Sequence, residues 1–426
     1  MDKITINPIA RVSGQVTVPG DKSISHRALM MAAIAEGESR IANLAAGADV
    51  RSTRTCLQQL GVAISNHEKE TRVAGHGVAA LQPCSQPLEA GNSGTTMRLL
   101  SGILATRPFL TTILGDASLS RRPMRRIIEP LQRMGAQIEA APGETAPLKI
   151  MGGNLRGIQY QLPVASAQVK SCILFAGLEA EGETILFEPA ASRDHSERML
   201  QAMGAAIEYN DERIAIRRGA LHALDAAIPG DFSSAAFLLA AALILPDSEL
   251  TLSNIGLNPT RTAFLQVLLE MGAQMKFLEW HLQSVEPYGA VLAQHSRLRG
   301  LELDPKFVPQ LIDEIPMLAV LATQAEGETI ITGAAELRIK ESDRLAALAT
   351  NLRAMHATVE ELPDGLIIRG PARLRGATLD SFGDHRIAMA FAIAGLCADS
   401  PTTIQNASCV DISFPGFFEV LRHICR

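Results

Sequence analysis

Three nearly identical stretches of this chain, Glu36-Gly37-Glu38-Ser39, Glu181-Gly182-Glu183-Thr184 and Glu326-Gly327-Glu328-Thr329, decide its fold. Each stretch follows an apolar helical segment, and the first glutamates of successive copies are 145 residues apart. So regular a spacing indicates that one supersecondary unit is repeated along the chain.

Further copies of the unit lie about midway between these three, so successive copies are about half as far apart. An apolar residue that opens the strand of each unit recurs six times, at intervals of 66 to 79 residues. The even spacing predicts six similar units. The six apolar residues are Ile41, Ile113, Leu186, Leu252, Ile331 and Ile404.

A second recurring phrase ends an apolar-periodic helix on a glycine, which suits a left-handed helix cap. Strand pairs that alternate apolar and polar residues follow, as in Ala206-Ile207-Glu208-Tyr209 and Ile214-Ala215-Ile216. Each unit is therefore predicted to contain a helix, a strand, a second helix and a strand pair. The helix-ending phrases are Leu60-Gly61-Val62, Met134-Gly135-Ala136, Met203-Gly204-Ala205, Met271-Gly272-Ala273 and the degenerate Met355-His356-Ala357.

The predicted fold class is α/β, with six helix-strand-helix-strand units divided between two lobes. At 426 residues the chain exceeds one ordinary hydrophobic core, so three units in each lobe are expected. Pro19-Gly20 and Pro229-Gly230 break the pattern and mark the lobe boundary. The predicted boundaries are 1–18 with 229–426 for the C-terminal lobe, 19–228 for the N-terminal lobe, and 18–20 and 228–230 for a two-strand hinge.

Composition restricts the class of protein. A net charge of −6 argues against a surface that as a whole attracts nucleic acid or an anionic membrane. The first residues lack a signal or transit pattern, and no apolar run reaches about 18 residues. Neither the six cysteines nor the ten histidines show metal-ligand spacing, so no zinc site or disulfide framework is indicated. We expect a soluble cytoplasmic protein.

The first unit opens with Pro19-Gly20-Asp21-Lys22-Ser23-Ile24-Ser25-His26-Arg27. Glycine, serines and backbone N–H groups at a helix start form an anion site, and Lys22 and Arg27 add positive charge. The alternative is a solvated helix cap with a surface lysine. The stretch also resembles a P-loop, but Asp21 separates the glycine from the lysine and the spacing is wrong, which argues against nucleotide binding.

Other stretches of the first half also place polar or charged residues at predicted helix starts. Arginine before a proline, as in Arg122-Pro123, can fork onto a carboxylate or a phosphate. Serine and glutamine supply neutral hydrogen bonds to hydroxyls and phosphate oxygens. Tight turns and ordinary helix caps are the alternative interpretation. The candidate residues are Asn92, Gly94, Arg122, Ser166, Gln168, Ser192 and Arg193.

The second half adds Asp313-Glu314-Ile315-Pro316, Ile339-Lys340-Glu341-Ser342-Asp343-Arg344 and Asp384-His385-Arg386. Acids beside lysine and arginine are often surface ion pairs, which contribute little. Here they recur at the same end of their units, which favours a site for small, multiply anionic substrates between the lobes. Carboxylates have no obvious role in binding anions, so proton transfer is the reason to place them there.

Five of these motifs resemble, in the same order, those of the 5-enolpyruvylshikimate-3-phosphate synthase family, and the resemblance covers essentially the whole chain. The resemblance implies a two-lobed inside-out α/β barrel. It also implies a transferase of aromatic amino-acid synthesis that needs no metal or organic cofactor. We expect the protein to be a monomer. The matching motifs are Gly20–Arg27, Gly91-Asn92-Ser93-Gly94-Thr95, Arg122-Pro123-Met124, Lys340-Glu341-Ser342-Asp343-Arg344 and Asp384-His385-Arg386.

The reaction implied is transfer of the enolpyruvyl group of phosphoenolpyruvate to the 5-hydroxyl of shikimate 3-phosphate, with release of phosphate. The two substrates are then the only expected partners, and each has a set of implied ligands. Those for shikimate 3-phosphate are Lys22, Ser23, Arg27, Ser166, Gln168, Ser192, Arg193, Asp313 and Lys340. Those for phosphoenolpyruvate are Lys22, Asn92, Gly94, Arg122, Gln168, Arg344 and Arg386.

This chemistry needs protonation of a methylene carbon, attack by the 5-hydroxyl and elimination of phosphate from a tetrahedral ketal. We hypothesise that Asp313 is the base for the hydroxyl, Glu341 moves the proton at the methylene and Lys22 helps phosphate to leave. Two departures from the pattern remove possible contacts: no lysine stands in Val410–Pro415, and Ala167 replaces a serine. Gly94 matches the small residue that, by the same resemblance, leaves room for glyphosate, a competitor of phosphoenolpyruvate.

Three other functions compete with this interpretation. A transferase that moves enolpyruvyl onto UDP-N-acetylglucosamine has the same topology but carries a cysteine in the loop corresponding to 115–123, where this chain has none. A non-catalytic anion-binding repeat protein has no need of Asp313 and Glu341. A P-loop NTPase does not fit the misspaced lysine.

Overall fold

The computed structural model of the protein describes residues 2–68, 70–210, 212–282 and 285–426. They divide into two compact units, which we call the N unit (Gly20–Ile228) and the C unit (the chain up to Pro19, with Pro229–Arg426). The sequence assigned Pro19 to the N-terminal lobe. In the structure it lies in the C unit, where its carbonyl accepts the N–H of Asp231 at 2.8 Å.

Helices alternate with short strands throughout the described chain. Five 3₁₀ helices lie between them, at Val78–Ala80, Leu119–Arg121, Pro305–Phe307, Ala335–Ile339 and Ala407–Ile412. The α-helices are α1 (Lys22–Ile34), α2 (Ala48–Gln59), α3 (Gly94–Leu104), α4 (Arg125–Met134), α5 (Ala167–Gly177), α6 (His195–Ala202), α7 (Phe232–Ile244), α8 (Ala263–Glu270), α9 (Val308–Leu311), α10 (Ile315–Ala322), α11 (Arg344–Ala354), α12 (His385–Leu396) and α13 (Phe417–Ile424).

The strands form six sheets within the described residues. They are β1 (Lys3–Ile6), β2 (Ser13–Thr17), β3 (Glu36–Ala42), β4 (Ala63–His67), β5 (Glu70–His76), β6 (Leu88–Glu89), β7 (Leu110–Leu114), β8 (Gln137–Ala141), β9 (Thr145–Met151), β10 (Gln159–Gln161), β11 (Glu183–Phe187), β12 (Ile207–Tyr209), β13 (Ile214–Arg217), β14 (Asp225–Ala227), β15 (Glu249–Gly256), β16 (Gln274–His281), β17 (Tyr288–Gln294), β18 (Gly327–Ile331), β19 (Thr358–Leu362), β20 (Gly365–Gly370), β21 (Thr378–Asp380) and β22 (Thr402–Gln405).

The three sheets of the N unit share one topology. Their strand orders are β14-β3-β5-β4, β6-β7-β9-β8 and β10-β11-β13-β12. In each sheet the strand after a buried helix pairs in parallel with a short edge strand. On its other side it pairs antiparallel with the second strand of a hairpin. Along the chain, each repeat of the N unit thus contains a helix, a strand, a second helix and a hairpin.

The C unit varies this topology with help from the start of the chain. Its sheets have the orders β16-β17-β15-β2, β18-β20-β19 and β1-β22-β21. Strand β2 is the parallel edge strand of the first sheet, and β1 pairs antiparallel with β22 in the last. In the middle sheet isolated bridges, Arg299 with Glu326 and Glu302 with Ile330, stand in place of a parallel edge strand.

The Glu-Gly-Glu stretches have the same backbone conformation in three repeats. Gly37, Gly182 and Gly327 adopt φ values of 110°, 87° and 98°, a region that favours glycine. The six recurrent apolar residues of the strands are all fully buried. They lie inside or at the end of their strands, not at the start as predicted, because the hydrogen-bonded ladder begins earlier; β3, for example, begins at Glu36 and contains Ile41 near its end.

The predicted left-handed caps are confirmed. Gly61, Gly135, Gly204 and Gly272 have φ values between 84° and 116°, and His356 adopts 64° at the degenerate fifth position. The Gly135 N–H donates to the carbonyl of residue 132, which closes α4. The end of the helix is therefore set by local sequence in these repeats.

The core of each unit is made of helices that are apolar on nearly every side. All residues of α7, Phe232–Ile244, are buried, and α10 and α12 pack against it and against each other. In the N unit, α3 packs against both α1 and α5. A helix that is apolar all round is stable only when surrounded by protein, which agrees with the burial of these helices. No helix in the described parts of the chain is both long and apolar enough to span a membrane.

Candidate active site

Helix α1 begins with a cap that accounts for the spacing of its motif. The carboxylate of Asp21 accepts the N–H of Ile24 at 2.9 Å, so the residue that interrupts the P-loop pattern is the N-cap. Gly20 is required because a Cβ there would lie 1.9 Å from the carbonyl oxygen of Asn43. Lys22 Nζ, at the first turn, donates to Asp49 Oδ2 of α2 at 3.0 Å.

Arg27 joins the starts of α5 and α6 to α1. Its Nε donates to Ser196 Oγ and its Nη2 to Ser171 Oγ, both at 2.8 Å. The same guanidinium donates to the carbonyls of Ser23 and Ala167 at 3.0 and 3.3 Å. The side chain is buried, so these bonds fix its direction. The guanidinium is therefore oriented by the protein itself.

Gly94, at the start of α3, lies beside two guanidinium groups. A Cβ on it would stand 2.8 Å from Arg98 Nη1 and 3.6 Å from Arg122 Nη1. Arg98 Nη1 donates to Gln168 Oε1 at 2.7 Å, and Gln168 Nε2 donates to Thr95 Oγ1 at 2.9 Å. The predicted residues Gly94, Arg122 and Gln168 thus lie together, with Arg98 as an additional member.

Asn92 and Arg122 contact each other directly. Arg122 Nη2 donates to Asn92 Oδ1 at 2.9 Å, and Asn92 Nδ2 donates to Asp116 Oδ2 at 2.9 Å. Asp116 also accepts the N–H groups of Ser118 and Leu119, which orders the loop before α4. The Gly115–Met124 stretch is therefore folded so that Arg122 points toward the start of α3.

Ser166, Ser192 and Arg193 complete the candidates of the N unit. Ser166 is the N-cap of α5, where its hydroxyl accepts the N–H of Val169 at 3.4 Å. Ser192 Oγ donates to Glu188 Oε1 at 2.5 Å in the segment between β11 and α6. Arg193 follows in that segment and is half-buried.

A buried polar chain connects α1, α2 and α3 below these groups. His26 Nδ1 lies 2.6 Å from Thr53 Oγ1, which lies 2.7 Å from Thr96 Oγ1, and that hydroxyl donates to Ser93 Oγ at 2.7 Å. Burial of the imidazole lowers the pKa of His26 well below its usual value, and the nearby charges of Lys22 and Arg27 lower it further. His26 is accordingly neutral at neutral pH.

Arg344 is the centre of the C unit cluster. Its Nη2 donates to Glu341 Oε2 at 2.6 Å, its Nε to Asp384 Oδ2 at 2.8 Å and its Nη1 to Asp313 Oδ1 at 3.4 Å. Burial by itself lowers the pKa of Arg344, but the carboxylates of Asp384, Glu341 and Asp313 outweigh burial and raise it. Both candidate proton-transfer groups, Asp313 and Glu341, therefore contact one permanently charged guanidinium.

Arg386 lies on the other side of Asp313. Its Nη1 donates to the Asp313 carbonyl at 3.0 Å and its Nε lies 3.7 Å from Asp313 Oδ1. Glu314, next in sequence, is fully buried and receives Arg261 Nη1 and Nη2 at 2.7 and 2.9 Å, with Ser233 Oγ at 2.5 Å. This ion pair holds the start of α10, and with it Asp313, in place.

Lys340 is half-buried and directly follows the 3₁₀ helix Ala335–Ile339. It precedes Glu341, so the predicted residues Asp313, Lys340, Glu341, Arg344 and Arg386 all belong to the C unit. The segment Val410–Pro415, where a lysine was missing, ends the 3₁₀ helix Ala407–Ile412 and carries no basic side chain.

Sequence reasoning missed several residues of this arrangement. Arg98 lies three residues beyond the Gly91–Thr95 motif, and its position four residues after Gly94 on one helix was a signal that both lie on the same face. Asp49 and Arg261 belong to no quoted motif. Their partners, Lys22 and Glu314, are distant in sequence, so only the fold shows these pairs.

Comparison with known proteins agrees with these motifs. A family model described as EPSP synthase (3-phosphoshikimate 1-carboxyvinyltransferase) matches residues 6–421. A protein of Synechococcus sp. named 3-phosphoshikimate 1-carboxyvinyltransferase is 51% identical over 429 residues, covering 99% of this chain and 97% of its own. A protein of the same name from Desulforamulus reducens is 48% identical over 425 residues, covering 99% of both chains.

A solved structure shows the same likeness. The EPSP synthase of Acinetobacter baumannii superposes with a TM-score of 0.89 at 42% identity, covering 100% of this chain and 98% of its own. The matches in sequence and in fold therefore extend over nearly the full length of the chain, including both units. This chain belongs to the EPSP synthase family.

Proposed function

We propose that this protein transfers the enolpyruvyl group of phosphoenolpyruvate to the 5-hydroxyl of shikimate 3-phosphate and releases phosphate. The observation that carries the proposal is the Arg344 cluster, in which two carboxylates lie 2.6 and 3.4 Å from a buried guanidinium. Cations of this kind neutralise anionic substrates, and carboxylates beside them transfer protons. Membership of the family supports the same reaction.

Each unit is proposed to be an inside-out α/β barrel of three repeats. Support comes from the burial of α1, α3 and α5 in the N unit and of α7, α10 and α12 in the C unit, with a sheet for each repeat. In such a barrel the polar starts of the buried helices would lie at one end of each unit. Backbone N–H groups at helix starts favour phosphate and carboxylate.

The residues that we propose for shikimate 3-phosphate are those that the motifs indicate. Arg27 would take the carboxylate, because its guanidinium is oriented by Ser171 and Ser196. The neutral hydroxyls and amide would take the phosphate and ring hydroxyls. The proposed set is Lys22, Ser23, Arg27, Ser166, Gln168, Ser192, Arg193, Asp313 and Lys340.

The residues that we propose for phosphoenolpyruvate surround Gly94 and Arg344. Arg122 is aimed by Asn92, and the absence of a Cβ at Gly94 keeps space beside Arg98 and Arg122. Glyphosate, which competes with phosphoenolpyruvate, would occupy the same space. The proposed set is Lys22, Asn92, Gly94, Arg122, Gln168, Arg344 and Arg386, to which the structure adds Arg98 as a candidate.

The proposed chemistry uses side chains alone. Protonation of the methylene carbon makes the adjacent carbon electrophilic, and the 5-hydroxyl, deprotonated by Asp313, attacks it to give a tetrahedral ketal. Loss of a methyl proton and of phosphate then restores the double bond. Glu341 would move the proton at the methylene, and Lys22 would neutralise the departing phosphate.

The deciding experiment measures phosphate release from phosphoenolpyruvate by the purified protein. We expect release that depends strictly on shikimate 3-phosphate and is not supported by UDP-N-acetylglucosamine. Asp313→Asn and Glu341→Gln should bind both substrates but lose about 100-fold or more in kcat, the usual scale for an acid or base. Release supported by the sugar nucleotide, or binding without turnover in the wild type, would contradict the proposal.

We further propose that the protein is a cytoplasmic monomer. We also propose that it works without a metal or organic cofactor, because the reaction needs only proton transfer and charge neutralisation. Dialysis against EDTA should leave the rate of phosphate release unchanged. Sedimentation at working concentration should give a mass near 45.6 kDa. A rate that is lost on dialysis and restored by a metal ion would refute the cofactor-free scheme.

A further inference from the structure

A buried ion cluster lies behind the segment that carries Ser192 and Arg193. Lys170 on α5 is 1% exposed, and its Nζ contacts Glu188 Oε2 and Glu197 Oε1, each at 2.7 Å. Glu197 belongs to α6 and is equally buried, whereas Glu188 directly follows β11. The cluster therefore ties one helix, the end of a strand and the next helix at a single ammonium group.

The same cluster contacts Ser192 in two ways. Glu188 uses its second oxygen, Oε1, to accept the Ser192 hydroxyl at 2.5 Å. Lys170 Nζ lies 3.4 Å from the Ser192 carbonyl. Both the side chain and the backbone of Ser192 are thus anchored to Lys170, one directly and one through Glu188.

The neighbouring residues on the two helices hold another member of the site. Ser171, next to Lys170, and Ser196, next to Glu197, both accept hydrogen bonds from Arg27. Their hydroxyls lie 2.6 Å apart. The contact between α5 and α6 therefore has one polar face toward Arg27 and another toward the Ser192 segment.

Stability alone does not account for a lysine at this place. Burial by itself lowers the pKa of Lys170, but the carboxylates of Glu197 and Glu188 outweigh it and raise the pKa, so the ammonium stays charged. Burial raises the pKa of Glu197. Apolar side chains of similar volume stabilise a core as well as a buried ion pair does. What charged groups add is direction, because each hydrogen bond restricts its partner's orientation.

We propose that Lys170 and Glu188 are positioning residues for shikimate 3-phosphate, which hold Ser192 and Arg193 in the geometry that binds it. The inference rests on the proposed function for the identity of the ligand. Neither Lys170 nor Glu188 belongs to the residues that we propose to contact a substrate. The effect of Glu188 passes through the Ser192 hydroxyl, so it should vanish when that hydroxyl is absent, whereas Lys170 also holds the Ser192 carbonyl.

The test is a double-mutant cycle on Glu188→Gln and Ser192→Ala, because Lys170→Met would leave two buried carboxylates without a cation and can fail to fold. For Glu188→Gln we expect KM for shikimate 3-phosphate to rise about tenfold, with kcat and KM for phosphoenolpyruvate within about twofold. In the Ser192→Ala background the same change should have no further effect. Independent, multiplying effects of the two changes would overturn the proposal.

Glu183→Gln is the matched control. Glu183 stands at the other end of β11 and pairs with Arg213 and Arg217 at 2.9 and 2.8 Å, away from the segment. Its replacement should leave all three kinetic constants unchanged. An equal rise in KM for shikimate 3-phosphate in this variant would overturn the proposal, because it would show that the loss of a charge at either end of β11 has the same effect.

A second readout needs no ligand. In the free protein, trypsin should cleave after Arg193 about tenfold faster in Glu188→Gln than in wild type or Glu183→Gln, because the segment opens more often. Equal cleavage rates would overturn the positioning role. If wild type shows no turnover with shikimate 3-phosphate but cleavage still accelerates, the proposed function fails and the anchoring of the segment stands.

Discussion

At residue 94 the side chain is a hydrogen atom, and the space that it leaves is bounded by Arg98 Nη1 and Arg122 Nη1. We expect Gly94→Ala to push Arg98 away from Gln168, since the new Cβ would lie 2.8 Å from its guanidinium. KM for phosphoenolpyruvate should rise about tenfold, equivalent to about 1.4 kcal/mol, and inhibition by glyphosate should weaken at least as much. Steady-state kinetics with both compounds checks this.

Gly153→Ala is a suitable control, because a Cβ at Gly153 meets no atom within 4 Å. This variant should keep the wild-type KM and the wild-type inhibition. Unchanged kinetics in Gly94→Ala would show that the space beside Arg98 is not used by the substrate.

His26 predicts a pH dependence of stability. Its pKa is lowered in the folded protein, so the folded state resists a proton that the unfolded state accepts below its ordinary pKa. Full stability is therefore present above about pH 6.5 and is lost as the pH falls from there toward the folded pKa. In urea titrations at pH 7, His26→Asn should have a lower free energy of unfolding than the wild type. On acidification its free energy of unfolding should fall less steeply than that of the wild type, by up to about 1.4 kcal/mol per pH unit. Parallel losses in both proteins would exclude His26 as the cause.

At the scale of single elements, the end of α11 departs from its counterparts. Four helices place glycine in the left-handed position that follows them, and this helix places His356 there with φ 64°. A left-handed conformation costs a residue with a Cβ about 1–2 kcal/mol, so His356→Gly should stabilise the protein by up to about 1 kcal/mol. The shift of the urea midpoint measures it.

The reverse substitution is Gly272→Ala after α8, where φ is 92° and the nearest atom to an added Cβ is 3.5 Å away. Without a steric clash, only the backbone conformation opposes the change. We expect a destabilisation of about 1 kcal/mol. If both variants leave the midpoint unchanged, the backbone conformation at these helix ends does not limit stability.

Local signals were sufficient to predict the helix starts that carry the candidate site. The helix starts at Lys22, Gly94, Arg344 and His385 follow Asp or Ser caps, which are readable because a cap bonds only a few residues along the chain. The exact strand limits were not readable: Ile41 was expected to open a strand that begins at Glu36. Strand limits depend on the partner strand, which the local sequence does not show.

For the whole molecule, the two units differ in what they need from the chain. Every strand of the three N unit sheets comes from Gly20–Ile228, whereas two C unit sheets use β1 or β2. We expect residues 20–228 expressed alone to unfold cooperatively, and residues 229–426 alone to lack a cooperative transition. Thermal melts followed by circular dichroism test both.

A permuted C unit is the control, with residues 2–19 joined after Arg426 by a flexible linker. Arg426 and Arg11 exchange backbone hydrogen bonds at 2.9 and 3.4 Å, so the chain end lies next to the segment to be joined. The permuted protein should regain a cooperative melt. Cooperative unfolding of 229–426 without residues 2–19 would show that β1 and β2 are dispensable.

The amino-acid sequence by itself determined the repeat, the helix starts and ends, and the set of motifs, because each depends on contacts within a few residues. Tertiary structure alone decided which of these residues meet. Arg344 contacts Asp313 and Asp384, and Lys170 contacts Glu188 and Glu197, across 18 to 40 positions in sequence. Such pairs form only when separate elements of the chain pack together, since a buried charge is stable only where the fold supplies a partner.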